Sequence, residues 1–376
     1  MTSHRTGDYR LLARLGRGSL TEAFLAARHG EERASELVVI KRLRKEVDVL
    51  FSHERVAQRA VGLSHPNIAR SYEVGRLGGS AYHVQEYLEG QPLDRVLAVA
   101  SRGEGLPKRL SLYVVCEVLA ALEHAHAQRT EGAALGLVHG ALRPHNIFVT
   151  YKGEVKLLDY AAAWRQRAAD APRDVTLYMA PEQLCSQDAV DERADVFAAG
   201  ILLRECLLRE HPPSAEAWPQ LYEQLAQRPL PSLAGALPDL PPVLADLLER
   251  AGRLAPDERR LTVAEAHGAL LPLLGATDDD RAGLQRLLNR LFETELRQRG
   301  QGVTELAGSA RATLLPPPPL PRTAWLGLTP PPRAATQLRT SSVDQPGLTP
   351  AQDDAAGRAP GERLQVLTAE ASSRSQ

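Results

Sequence analysis

The sequence predicts an α+β protein with a β-rich first part, a helical second part and a proline-rich tail that does not fold. Three observations carry this. Residues 9 to about 90 hold short runs of apolar and β-branched residues between turn signals. From about residue 93 apolar positions recur at spacings of three and four, the helical period. From about residue 300 the chain turns to Pro, Gly, Ala, Ser, Thr and Gln with scattered charge, too polar to bury a core.

In order, YRLLARLGRGS and EAFLAAR read as two strands around a glycine turn, and ELVVIKRL as a third. A helix is expected from about Phe51 to Leu63, ended near His65-Pro66. AYHVQEYL is another strand. LSLYVVCEVLAALEHAHA places Leu112, Val115, Leu119, Leu122 and Ala125 on one stripe of a long amphipathic helix. NIFVT and EVKLLD are short strands joined by a turn at Tyr151-Lys152-Gly153. ADVFAAGILLRECLL is apolar nearly all round, as in a central buried helix, and more helices follow to about 274. Residues 278–299 form one further helix, with acids in its first turn and a stripe of Leu284, Leu287, Leu288, Leu291 and Leu296. That stripe either packs on the domain or binds a partner.

The chain has 376 residues, 43% of them hydrophobic, enough for one large domain or two ordinary ones. A net charge of −1 gives no argument for nucleic acid or for a membrane surface, and neither is expected as a partner. Cys116, Cys185 and Cys206 form no CxxC pair, which fits reduced thiols and a cytoplasmic protein. MTSHRTGDYR lacks the apolar run of a signal peptide, and no apolar stretch approaches the ~18 residues of a membrane span.

Motifs then follow one another along the chain. LGRGSLTEAF lies between two strands, VVIK ends at Lys41, and VHGALRPHN follows the long helix. LLDYA, YMAPEQL, DERADVFAAG and PDERRLTVAEA come next. In this order they resemble the bacterial eukaryotic-like serine/threonine protein kinases, over residues 9–274. The resemblance implies a two-lobed protein-kinase-like fold, with a β-rich N-lobe at 9–88, a helical C-lobe at 89–274, and ATP with Mg²⁺ between them. Residues 1–8 become an N-terminal extension, 278–299 an extra helix and 300–376 the tail.

The resemblance also assigns roles. Gly16 and Gly18 cover the phosphates, where a Cβ would block close approach of the backbone. Lys41 holds the α- and β-phosphates; a lysine ending an apolar strand needs a counter-ion. Ala23 and Val39 roof the adenine, Phe148 floors it, Glu86 and Leu88 form the hinge, and Gln85 is the gatekeeper. Asn146 and Asp159 are the oxygen ligands for Mg²⁺. Glu182 and Arg259 form a buried ion pair, and Asp195 caps the catalytic loop. The family pairs its lysine with a helix glutamate, but the counted position is Val56. Either Glu54, two residues away, serves through a small insertion, or that pair is missing.

The groups nearest the transferred phosphoryl depart from the family. Ala141 stands where the catalytic aspartate belongs, and Gly140 replaces the arginine before it. Loss of a positioned acid–base group slows transfer by about 10² to 10⁴. Arg143 takes the place of the loop lysine, a planar fork rather than a point charge. Thr21 replaces a third loop glycine, Ala161 the glycine after Asp159-Tyr160, and Val175 a threonine near the catalytic residues. The leading expectation is a pseudokinase that binds ATP and Mg²⁺ and acts through protein partners, among them active kinases or their substrates. The tail is expected to dock short-motif readers. The alternatives are a weakly active serine/threonine kinase and a tail-centred adaptor that binds no nucleotide.

Overall fold

The computed structural model describes residues 5–6, 9–17, 21–29, 35–44, 61–77, 80–130, 133–134, 136–160, 178–185, 190–208, 237, 239–275 and 278–297. The first sheet holds β1 (Arg5–Thr6), β2 (Tyr9–Arg17), β3 (Thr21–His29), β4 (Ser35–Leu43), β5 (Ser71–Leu77) and β6 (Ser80–Glu86). Its order is β1-β2-β3-β4-β6-β5, and every neighbour is antiparallel. SYEVGRL, which forms β5, completes the edge beside β6 and goes beyond the strands read from the sequence. One face of the sheet buries Ala26, Val38, Ile40 and Val84 with Tyr9. Two register shifts interrupt β2, between Leu11 and Ala13 and between Arg14 and Gly16.

Below it lie β7 (Gly90–Pro92), α1 (Leu93–Ala100), α2 (Lys108–His126), a two-stranded ribbon of β8 (Arg129–Thr130) and β9 (Ala133–Ala134), β10 (Ile147–Thr150) and β11 (Val155–Leu157). Strands β11, β10 and β7 form a small sheet, turned by Gly153 at φ +76°. The helices α3 (Pro181–Cys185), α4 (Arg193–Leu208), α5 (Pro242–Ala251), α6 (Val263–Leu274) and α7 (Asp278–Leu291) follow. Thr262 and Glu265 close a capping box at the start of α6.

The main core gathers α2, α4, α6 and the small sheet. Helix α4 is buried almost all round, as its composition predicts. Helix α2 corrects its predicted stripe. Leu112 is only half-buried, while Tyr113, Val114, Cys116 and Val118 are buried, because neighbours cover it on more than one face. Cys116 and Cys206 are unpaired, and burial raises both thiols, Cys116 to about 12.

The two parts are stitched together at residues 67–69. Leu157 N donates to Asn67 O at 2.7 Å and Ala69 N to Leu157 O at 2.9 Å. The Asn67 side chain donates to Glu117 Oε2 on α2 at 2.6 Å. Helix α7 packs on the domain through Leu284, Leu287 and Leu288, and Phe292 just beyond it joins the same core. Ion pairs Arg109–Asp280, Arg281–Glu154 and Arg95–Glu295 fasten it and the turn after it. The predicted helix at 51–63, apart from its last residues, and the tail from 300 lie outside the described residues.

Candidate functional site

Opposed residues in an antiparallel ladder share a face. The pairings Ala23–Lys41–His83 and Leu25–Val39–Gln85 therefore place Ala23, Val39, Lys41, His83 and Gln85 on the face opposite the Val38–Ile40–Val84 core. Gly16 lies across from Ala23, beside the register shift in β2. Gly18 and Glu54 lie outside the described residues, as do Ala161 and Val175.

Lys41 makes an ion pair with Asp159, which follows β11. Asp159 has φ +65°, so the backbone turns through the left-handed region that Asp tolerates better than most residues. Burial works to raise the Asp159 carboxyl, but the Lys41 ammonium overrides it and holds the group below the ordinary carboxylate range. The side chain is thus ionised at neutral pH.

The loop from 138 to 146 is organised by one carboxylate. Asp195, at the start of α4, is buried and accepts from the backbone N–H of His139 and of Gly140, each at 2.8 Å. His126 Nε2, on the last turn of α2, lies 2.9 Å from the same carboxylate. Burial opposes charge on both partners, yet their mutual attraction raises the imidazole and lowers the carboxyl. Bending both N–H groups toward Asp195 puts Gly140 at φ +64°, a conformation glycine adopts without a Cβ penalty. His139 is neutral because burial lowers its pKa. Its Nδ1 accepts from Ala141 N at 3.2 Å and its Nε2 donates to Leu158 O at 2.8 Å. Tyr160 packs edge-on against its ring at 4.8 Å.

Asn146 donates its side-chain N–H to Ala141 O at 2.8 Å, and its backbone carbonyl accepts from Leu158 N at 2.7 Å. The first bond turns the amide so that Oδ1 remains as an acceptor. The second holds Asn146 against the segment that carries Asp159. An ionised carboxylate and an amide oxygen on adjoining segments suit Mg²⁺, which takes few protein ligands and completes its shell with phosphate oxygens and water. No group of three or more His, Cys, Asp or Glu among the described residues forms a self-sufficient metal cage.

Glu86 accepts from Lys156 Nζ at 3.0 Å and Arg70 N at 2.9 Å, which ties the end of β6 to β11. Leu88 is half-buried in the connection to β7. Phe148 is half-buried on β10, pointing away from buried Ile147 and Val149. Arg259 has no exposed side-chain surface. It donates to Glu182 Oε1 at 2.7 Å, to the carbonyls of Arg193, Arg253 and Leu254, and lies over Phe197.

Residues 9–269 match the family described as protein kinase domain. The chain belongs to the protein kinase domain family. Its relatives include bacterial serine/threonine kinases. The serine/threonine-protein kinase PknB of Mycobacterium tuberculosis is 29% identical over 72% of this chain and 43% of its own length. The tyrosine-protein kinase MasK of Myxococcus xanthus is 35% identical over 69% of this chain and 42% of its own length. The chain spans less than half the length of these curated relatives. The crystal structure of the Mycobacterium tuberculosis PknI kinase domain shares the fold with a TM-score of 0.55 and 25% identity, covering 72% of this chain and 98% of that one.

In this kinase domain, Ala141 lines a small pocket together with Gly140, Arg143, Met179 and Gln183. Gln183 bridges the loop to the Ala180 turn, donating to Gly140 O and accepting from Ala180 N, each at 2.8 Å. Sequence reasoning passed over Gln183, His126 and His83. The first sits beside Glu182 in APEQL, and the second ends the long helix in EHAHA. A polar residue beside a motif is a weak signal until the fold shows what it touches.

Proposed function

We propose that this chain is a nucleotide-binding pseudokinase, which takes up ATP with Mg²⁺ in the cleft and acts through protein partners. One observation carries the reading: Ala141 lies in a loop whose backbone is held in place, and among the described residues neither Asp195 nor Asp159 is free to substitute for the missing acid. Asp195 is committed to two backbone N–H groups and His126, and Asp159 is paired with Lys41. Lys41, Asp159 and Asn146 suit a nucleotide and its metal. A methyl group in place of the acid can neither orient a substrate hydroxyl nor take its proton. Active kinases and their substrates are the partners this reading favours.

A weakly active kinase is the second reading, favoured by relatives that carry kinase names and by the cation of Arg143 beside Ala141. If some transfer survives, those names point to serine, threonine or tyrosine hydroxyls. The test is transfer from radiolabelled ATP to a generic protein substrate by the unaltered chain, Ala141→Asp and Lys41→Met. The pseudokinase reading expects background labelling from the unaltered chain and from Lys41→Met, with a gain of about 10² or more in Ala141→Asp. Labelling by the unaltered chain that disappears in Lys41→Met would establish the second reading and overturn the first.

A further inference from the structure

The β6 face beside Lys41 carries two polar side chains with unpartnered acceptors. His83 is fully buried and Gln85 nearly so, and neither His83 Nδ1 nor Gln85 Oε1 has a hydrogen-bond partner. A buried acceptor left unpaired costs about 1–3 kcal/mol, so a donor that reaches it in another state of the protein is the natural explanation. His83 Nε2 lies 2.9 Å from Ser71 Oγ on β5. Burial lowers the imidazole to about 4, so the ring is neutral at pH 7. With the proton on Nε2 and donated to Ser71, Nδ1 presents a bare lone pair.

The nearest strong donor follows from the register. His83 is the cross-strand partner of Lys41 on the same face. Such partners have Cβ atoms about 4.5–5.5 Å apart. The Lys41 ammonium carries three N–H donors and is paired with Asp159. Yet a nucleotide cleft needs Asp159 for the metal and Lys41 for phosphate at the same time.

We infer that His83 is a positioning residue for Lys41, its Nδ1 accepting from the Lys41 ammonium whenever Asp159 turns from Lys41 to a magnesium ion. The inference rests on the nucleotide-binding reading above. A neutral acceptor holds the ammonium in place without cancelling its charge, leaving that charge for the phosphates. Gln85 Oε1, two residues along the same face, supplies a further acceptor beside it.

The experiment measures ADP affinity of the full chain, in Mg²⁺ and in EDTA, for the unaltered protein, His83→Leu and His83→Gln. In Mg²⁺, His83→Leu should bind about tenfold or more weakly. His83→Gln, which keeps an acceptor oxygen, should recover most of the loss. In EDTA, where Asp159 stays with Lys41, the three should bind alike. A second readout needs no variant: the ¹⁵N resonance of His83 Nδ1 should move when ADP is added with Mg²⁺ and stay put when it is added with EDTA. Equal weakening in both conditions, no weakening in Mg²⁺, or a resonance that never moves overturns the role of His83. Absence of ADP binding by the unaltered chain overturns the nucleotide reading as well, so the two failures are told apart by that one measurement.

Discussion

Asp195 illustrates how a buried charge is used at the residue scale. It receives two backbone N–H groups and His126, so the charge is hydrogen-bonded rather than left bare. The same bonds impose the left-handed turn at Gly140. His83 is the opposite case, a buried imidazole held neutral. Its folded pKa, about 4, lies below the unfolded value of 6.5. Between those values the unfolded chain binds the extra proton, so stability is present above pH 6.5 and lost as pH falls toward 4. About 2 kcal/mol should disappear from this group between pH 7 and pH 5. Guanidinium unfolding of the unaltered chain and His83→Gln at both pH values checks it; parallel losses in the two proteins would remove His83 as the cause. Motif order singled out Lys41 and Ala141 as positions, whereas the ion-pair partner of Lys41 was not legible, because Asp159 lies 118 residues away.

At the scale of elements, α7 shows how a sequence stripe becomes a packed face. The alternatives of domain packing and partner binding were open from sequence, since both need the same leucines. The structure settles it for Leu284 and Leu288, which are fully buried against the domain. The approach is close: a Cβ at Gly153 would stand 2.1 Å from Arg281 O on α7. Leu288→Ala should therefore cost about 2–5 kcal/mol, read as a lowered denaturation midpoint of the full chain. An unchanged midpoint would mean that the helix contributes nothing to the fold. Helix α2 was legible as a helix but not in its burial. One-stripe amphipathicity describes a surface helix, and neighbours cover α2 on more than one side.

Across the whole molecule, Arg259 and Glu182 join segments 77 residues apart, and the 67–69 stitch joins the sheet to the helices. A nucleotide bound beside Lys41 and Asp159, as proposed, stabilises the folded state by mass action. ATP with Mg²⁺ at 100 times its Kd adds about 2.7 kcal/mol. The melting temperature of the full chain should then rise by about 5 °C, and by less in Lys41→Met. No rise at saturating nucleotide would favour an adaptor that binds none.

The sequence by itself determined the family, most of the strands and helices in their order, and which chemical groups the loop at 138–146 carries. These are local: each is written in residue type, period and spacing, and Ala141 is an alanine in any conformation. Only the tertiary structure decided which charges meet. It gave Lys41 to Asp159, His126 to Asp195, Gln183 to Gly140 and a bare lone pair to His83. The physical reason is that a buried charge or lone pair takes its meaning from partners far along the chain. The register of β4 against β6 and the docking of α4 under the loop bring those partners together.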